Sequence, residues 1–118
     1  VYLLDKTGEF AEAAYTEGEN AEFIKGKRIK VGEGATGYVL KKRQAVYNIN
    51  PALDFSFYKV EFVQNYKAMA ALPLIANERL IGAVSLYSSE LENYEDEHMR
   101  LLETVSRIAS DAISKSVY

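Results

Sequence analysis

The first half of the chain alternates short apolar runs with turn signals, a pattern typical of β-strands. An apolar run over residues 1–4 and a mixed run over residues 10–15 flank a turn signal at residues 5–8, which predicts a first hairpin. The short basic stretch over residues 25–31 is expected to be extended. A short helix is expected over residues 38–42, directly after a glycine-rich segment.

The middle of the chain holds a third strand candidate and a long connection. The strand is expected over residues 45–49 and ends at Asn50 and Pro51, because proline cannot donate to a β-ladder and restricts the residue before it. Residues 52–66 show no clean period and hold five of the chain's fourteen aromatic residues. We expect a long connection with a helical turn there.

Two strongly apolar runs, residues 68–75 and 80–87, predict a second hairpin with a short turn at residues 76–79. Both runs are apolar at successive positions, which indicates strands covered on both faces of a sheet. Pro73 cannot donate to a ladder, so we expect a β-bulge or an unpaired stretch at that point.

The last element is predicted to be one long amphipathic helix from about residue 94 to about residue 115. Asn93 suits the N-cap position, and the acids after it suit the positive end of the helix dipole. Apolar residues recur on two overlapping lines, one through Leu102, Val105, Ala109 and Ala112 and the other through Leu101, Ile108 and Ile113. One line is enough to cover a sheet, so we expect the other, with Leu101 and Ile108, to form the interface of a parallel homodimer.

The order of these elements implies an α+β fold with a mainly antiparallel sheet, because runs of strands are followed by segregated helices. Four segments resemble the sequence elements of GAF domains, and they follow one another along the chain in the family's order. Residues 29–39, with the letters IKVGEGATGYV, resemble the family's VGEGxxGxV element, and the letters LLDKTG at residues 3–8 resemble its opening hairpin. The letters ALPL at residues 71–74 and LIGAVSL at residues 80–86 resemble its central hairpin, and Tyr94 with the three acids after it resembles the start of its last helix.

The resemblance to GAF domains implies a PAS-related fold: a six-stranded, mainly antiparallel sheet with helices on both sides and a long C-terminal helix. It also implies a ligand cavity under connections such as residues 49–66. GAF domains share no common chemistry, and members bind cyclic nucleotides, bilins, haem, other metabolites or no known ligand. Function therefore has to be argued from the site.

The same resemblance sets the expected domain organisation. Residues 1–118 are expected to form a single GAF domain. The chain begins at Val1 rather than Met, and at a strand where the family usually has a preceding helix. We therefore expect a piece of a longer bacterial signalling protein that lacks its N-terminal helix and carries an attached output domain, such as a diguanylate cyclase or a histidine kinase.

The aromatic residues of the connection predict a lid over a ligand cavity. Small residues on the central strands, such as Ala83 and Ser85, would leave room beneath it. The expected lining residues are Tyr47, Asn48, Phe57, Tyr58, Tyr66 and Tyr87. The alternative is that these aromatics fill the core on that face and leave no void.

The glycines at 32, 34 and 37 match the spacing of the dinucleotide-binding fingerprint. The context does not fit, because only a short helix follows and no parallel β-α-β unit surrounds it. The simpler interpretation is a sharp turn from strand to helix, with an anion site at the helix start as the alternative. Seven basic residues cluster at 25–43, either as a solvated rim or as an attractor for a phosphate-bearing ligand or an acidic partner.

The chain contains no cysteine, which excludes disulfides, thiolate metal sites and thiol nucleophiles. Among GAF domains this excludes covalent bilin attachment and the cysteine-dependent methionine-sulfoxide reductases. The single histidine, His98, lies among acids and is expected at the surface rather than as a metal or haem ligand. Since no carboxylates form a recognisable catalytic pair, we expect no metal site and no enzyme, and no cofactor can be named.

Charge and hydropathy limit the classes of partner that the chain is expected to bind. The net charge of −3, with basic residues that do not alternate with stacking aromatics, speaks against nucleic acid. No apolar run approaches the roughly 20 residues of a membrane span. We expect a cytoplasmic domain that does not insert into a membrane, although its parent protein can be membrane-attached.

Two functions remain open on the sequence. The first is a ligand-responsive regulatory domain whose long C-terminal helix carries the signal to the output domain. The second is a ligand-free GAF-fold dimerisation module whose pocket is filled by aromatic side chains. Ligand-dependent melting would separate the two.

Overall fold

The strands of the chain pair into one antiparallel sheet in the computed structural model, which describes residues 1–18, 21–49, 66–89 and 93–117. Within these residues the sheet has six strands: β1 Tyr2–Leu4, β2 Phe10–Ala13, β3 Arg28–Lys30, β4 Val46–Tyr47, β5 Ala68–Ala76 and β6 Arg79–Ser88. Their order across the sheet is β3-β2-β1-β6-β5-β4. The helices are α1 Ala21–Ile24, α2 Gly34–Lys42 and α3 Asp96–Val117. The predicted α+β class, with a six-stranded antiparallel sheet and a long C-terminal helix, is confirmed.

The two faces of the sheet are covered by different helices. On one face, α2 packs against a core that includes Met69, Ala71 and Ala83. On the other face, α3 packs along β5 over Ala70 and Leu72. Both faces of β5 are therefore buried, which explains its continuous apolar sequence.

The central hairpin is closed by a two-residue turn. Asn77 and Glu78 have φ angles of 52° and 65°, the left-handed conformation that matches the twist of two paired strands. Leu72 lies opposite Val84, and Leu72 is fully buried whereas Val84 is only partly buried. Leu86 is also only partly buried, because α3 lies over β5 and contacts β6 in few places.

Pro73 lies where the outer edge of β5 loses its partner. β4 pairs with β5 only at Ala70 and Ala71, so the strand edge from Pro73 onward is unpaired on that side in the described part of the chain. A register shift follows between Leu74 and Ile75. The missing N–H of Pro73 thus costs no ladder bond, and the expected irregularity near this residue is confirmed.

The glycine-rich segment makes the turn from β3 into α2, and α2 begins four residues earlier than predicted. Gly32 and Gly34 have φ angles of 97° and 68°, which favour glycine. Gly37 lies inside α2, where a Cβ atom would come within 2.7 Å of the Lys30 carbonyl oxygen. The glycines therefore let the helix pack closely against the turn that precedes it.

No helix among the segments that the structure describes is long and apolar enough to cross a membrane. The short helix α1 was missed by the sequence prediction. The strand predicted over residues 45–49 is strand β4 in the structure, and it is shorter than predicted, because only Val46 and Tyr47 pair with β5.

Candidate functional site

A cavity of about 270 Å³ lies beside the second half of β6. β1 pairs with β6 only at Gly82 and Ala83, so the following residues of β6 border open space where a neighbouring strand would otherwise lie. The segment after β2 and the short helix α1 form the opposite wall. The cavity therefore arises from the short length of β1.

Among the described residues, five tyrosines dominate the cavity lining: Tyr2, Tyr15, Tyr66, Tyr87 and Tyr94. The rings of Tyr66 and Tyr87 contact each other with centroids 5.5 Å apart. Ser85, Ser89 and the carboxylate of Glu17 add polar groups, and no lysine or arginine lines the cavity among the described residues. Aromatic walls with a few hydroxyl groups suit a small planar ligand.

Ser85 ties the cavity to α2. Its hydroxyl lies 2.6 Å from the Thr36 hydroxyl, which is completely buried. Thr36 is in the first turn of α2, directly after the glycine turn. The cavity wall, α2 and the glycine-rich segment therefore form one packed unit.

The end of β4 is fastened to the start of α3 by the side chain of Asn48. The amide nitrogen of Asn48 donates to the Tyr94 carbonyl at 2.9 Å, and the amide oxygen accepts from the Tyr94 N–H at 2.6 Å. Asn48 has a φ angle of 58°, a left-handed conformation that asparagine tolerates better than most residues. Nearby, the Tyr47 hydroxyl donates to Asp96 at 3.3 Å. We call the two Asn48–Tyr94 hydrogen bonds the asparagine clasp.

Tyr94 belongs both to the cavity and to the base of α3. Its ring is almost fully buried and contacts the His98 ring edge-on at a centroid distance of 6.4 Å. Burial raises the pKa of the Tyr94 hydroxyl above its usual value of 10.0, so the hydroxyl is neutral at physiological pH. Met99, in the first turn of α3, shares its apolar cluster.

The predicted lining residues fall into three groups. Tyr66 and Tyr87 lie in the cavity wall. Tyr47 and Asn48 instead contact the start of α3. Strand residues alternate between faces, and Val46 faces the α2 core, so Tyr47 faces α3. Phe57 and Tyr58 lie outside the described residues. Ligand binding by any of these residues stays a prediction.

The sequence prediction missed Tyr2, Tyr15 and Tyr94 as lining residues. Tyr2 lies opposite Ala83 in the neighbouring strand, so the register of β1 with β6 was needed to place it. Tyr94 carried a usable signal, since it stands in the segment that marks the start of the last helix.

The basic cluster at 25–43 does not line this cavity, since none of its seven members is among the lining residues. His98 is exposed, and its Nδ1 accepts from the Glu95 N–H at 2.9 Å at the start of α3. Among the described residues, no group of three or more acidic or histidine side chains could hold a metal ion.

The outer face of α3 carries an exposed apolar stripe. Leu101, Val105 and Ile108 are 64%, 50% and 67% exposed, and Ala112 follows one turn later. The predicted division into two lines was wrong for Val105 and Ala112, which are exposed, and for Ile113, which is partly buried against the sheet. Leu101 and Ile108 are exposed as the dimer prediction requires, but dimerisation itself stays a prediction.

The sheet order and the flanking helices define an α+β domain built on one antiparallel sheet. The family model for the GAF domain matches residues 1–114. The chain therefore belongs to the GAF domain family. A comparison with curated proteins gave no match.

Solved structures support the family assignment at the level of fold. The GAF domain of a phosphoenolpyruvate-protein phosphotransferase from Coxiella burnetii matches with a TM-score of 0.77 at 19% identity, over 98% of this chain and 70% of that one. The second GAF domain of DevS from Mycobacterium smegmatis matches with a TM-score of 0.76 at 14% identity, over 98% and 78%. A type II free methionine-R-sulfoxide reductase from Thermoplasma acidophilum matches with a TM-score of 0.73 at 15% identity, over 97% and 76%.

The expectation that this chain is not an enzyme is wrong on this comparison. Free methionine-R-sulfoxide reductases, which are GAF-fold enzymes, are among the similar structures. The fold of the chain therefore accommodates catalysis as well as regulation.

Proposed function

We propose that this GAF domain is a sensory domain that binds a small ligand in the tyrosine-lined cavity and reports binding through α3. One observation carries the proposal: Tyr94 lines the cavity and stands two residues before α3 begins at Asp96. A ligand in the cavity contacts the residue that positions the start of the long helix. Binding and helix position are therefore coupled if the ligand prefers one arrangement of Tyr94 over another.

The ligand that suits this cavity is small, planar, and neutral or cationic. Tyrosine rings stack on planar groups and attract cations through their faces. The described lining offers one carboxylate, Glu17, and no lysine or arginine to hold a phosphate. A volume of about 270 Å³ accommodates a molecule the size of a nucleobase or an aromatic amino acid.

The signal would pass to an attached output domain through a dimer. Parallel pairing of two α3 helices along the exposed apolar stripe would bring two output domains together, as a diguanylate cyclase or histidine kinase requires. Two apolar stripes in contact remove exposed leucine and isoleucine from water. We place such a protein in the bacterial cytoplasm or at a membrane on its cytoplasmic side.

A thermal-shift screen of nucleobases, aromatic amino acids and planar cations tests the ligand proposal. A ligand at about 100 times its dissociation constant stabilises the domain by about 2.7 kcal/mol. Ala21→Trp places a large side chain in the cavity wall and should abolish the shift, whereas Tyr38→Ala, at an exposed position on α2 outside the lining, should not. A panel without any stabilising compound, or equal stabilisation of the Ala21→Trp variant, contradicts the proposal.

The second candidate function is a GAF-fold dimerisation module without a ligand. The exposed stripe on α3 favours it, because that surface needs no ligand to associate. Sedimentation velocity separates the candidates once a stabilising compound is found. A dimer whose association constant is the same with and without that compound indicates the second function.

A further inference from the structure

A second depression lies along β5, where β4 no longer covers that strand. This groove, of about 630 Å³, runs between the outer edge of β5 and α3. Its lining includes three arginines, Arg43 at the end of α2 and Arg100 and Arg107 on α3. We call it the arginine groove.

The groove exposes a free strand edge. The Asn48 N–H donates to the Met69 carbonyl at 2.9 Å, so Met69 directs its backbone groups toward β4. The register shift skips Ile81 on β6, so β5 keeps its alternation. Every second residue of a strand directs its backbone groups to the same side, and Pro73 and Ile75 therefore direct theirs as Met69 does. β4 has ended at that point, which leaves two carbonyl oxygens and the Ile75 N–H facing the groove, without a backbone partner in the described segments. An extended peptide can pair with such an edge.

The charges of the groove select an acidic peptide. The described lining residues include three arginines and one carboxylate, that of Glu103, so the groove carries a net positive charge. The floor between them is formed by small or buried residues, including Ser106 and Ser110, which leave room for a backbone. Arginine binds carboxylates with strong, charge-assisted hydrogen bonds.

A second copy of this chain fits the groove poorly. Edge-to-edge pairing of two β5 strands would bring the arginines of both copies together, and like charges in apposition repel. Pro73 also removes one donor from the edge and so weakens pairing with an identical edge. We therefore propose that the arginine groove binds an extended acidic peptide of another protein or domain. The peptide pairs with β5 past the point where β4 ends and so extends the sheet.

The test uses the 118-residue chain and an end-blocked fluorescent peptide of alternating aspartate and valine. Fluorescence anisotropy should show saturable binding that the matched lysine–valine peptide does not show. Arg100→Glu combined with Arg107→Glu should weaken binding at least about tenfold, because both charges reverse on the helix side of the groove. Lys6→Glu combined with Lys25→Glu changes net charge equally, lies outside the groove, and should change binding less than about twofold.

Two N-methylated peptides test strand pairing separately from charge. Methylation at every aspartate or at every valine removes the N–H groups of one peptide edge, since alternate residues face the same edge. One of these peptides should lose at least about tenfold in affinity while the other keeps it. Absence of saturable binding, binding unchanged by the double arginine reversal, or equal binding of both methylated peptides overturns the proposal. Competition by pyrophosphate with no difference between the methylated peptides shows a small-anion site and also overturns it.

Discussion

The side-chain amide of Asn48 hydrogen-bonds both the N–H and the carbonyl of Tyr94, 46 residues further along the chain. This clasp joins the end of an edge strand to the residue that leads into the longest helix. Tyr94 is also part of the cavity wall. The clasp therefore holds the start of α3 in place at the residue that a ligand in the cavity would contact.

Loss of the clasp should destabilise the domain. Asn48→Gly keeps the left-handed backbone but removes both hydrogen bonds, which we expect to cost about 1–3 kcal/mol. Asn48→Ala should cost about 1 kcal/mol more, because alanine resists this conformation. Urea unfolding measures both. Asn77→Gly, at an exposed turn position with a similar φ angle of 52°, is the matched control and should be nearly neutral. Equal effects at 48 and 77 would contradict the clasp.

Leu72 and Leu86 should differ in their contribution to the core. Leu72→Ala leaves a cavity at a fully buried position and should cost about 2–5 kcal/mol. Leu86→Ala should cost less than half of that, since Leu86 is only partly buried, at the rim of the cluster under α3. Chemical denaturation of the two variants decides it, and an equal loss would mean that another element covers Leu86.

Gly37 should tolerate no side chain. A Cβ atom there meets backbone atoms of Lys30 and Gly32 at 2.7 and 3.1 Å, so the turn itself has to move. We expect Gly37→Ala to cost about 1–3 kcal/mol as an overpacked site. Thermal melting provides the measurement. Ala35→Gly, at a neighbouring helical position, is the control and should cost about 1 kcal/mol or less.

Asp5 should support stability only above acidic pH. The Thr7 hydroxyl donates to its carboxylate at 2.6 Å and lowers the pKa of Asp5, with help from the Thr7 and Gly8 N–H groups. The folded state thus binds this proton more weakly than the unfolded state. The contribution is present above the unfolded pKa and is lost as the pH falls through the folded one. Melting temperatures recorded from neutral to acidic pH should fall less steeply for Asp5→Asn than for the parent, and Thr7→Val should show part of the same change.

The exposed stripe on α3 should control association but not folding. Leu101→Glu combined with Ile108→Glu should abolish a parallel dimer in sedimentation velocity while leaving the melting temperature nearly unchanged, because both side chains are mostly exposed. Glu103→Ala, at an exposed polar position on the groove side of the same helix, should leave association intact. A monomeric parent, or a dimer unaffected by the glutamates, contradicts the interface.

Local sequence patterns were sufficient for the central hairpin and the last helix, because both are long and strongly periodic. They were insufficient for features that depend on contacts between distant parts of the chain. β4 pairs through two residues, since the chain turns away after the left-handed Asn48. The outward direction of Val105 depends on where α3 crosses β5, and the arginine groove joins Arg43 to a helix far along the chain. No local period encodes these approaches.

The most direct measurement of the central claim is amide hydrogen exchange at Tyr94 and Met99, with and without a compound that stabilises the domain. The Tyr94 N–H donates to the side-chain oxygen of Asn48, and the Met99 N–H donates to the backbone carbonyl of Glu95 at 3.1 Å in the first turn of α3. If the cavity acts on α3 through Tyr94, the compound should change exchange at both amides in the parent, and the Met99 change should be lost in Asn48→Gly. Protection confined to cavity residues such as Ser85 and Tyr87, with Tyr94 and Met99 unchanged, would contradict the account.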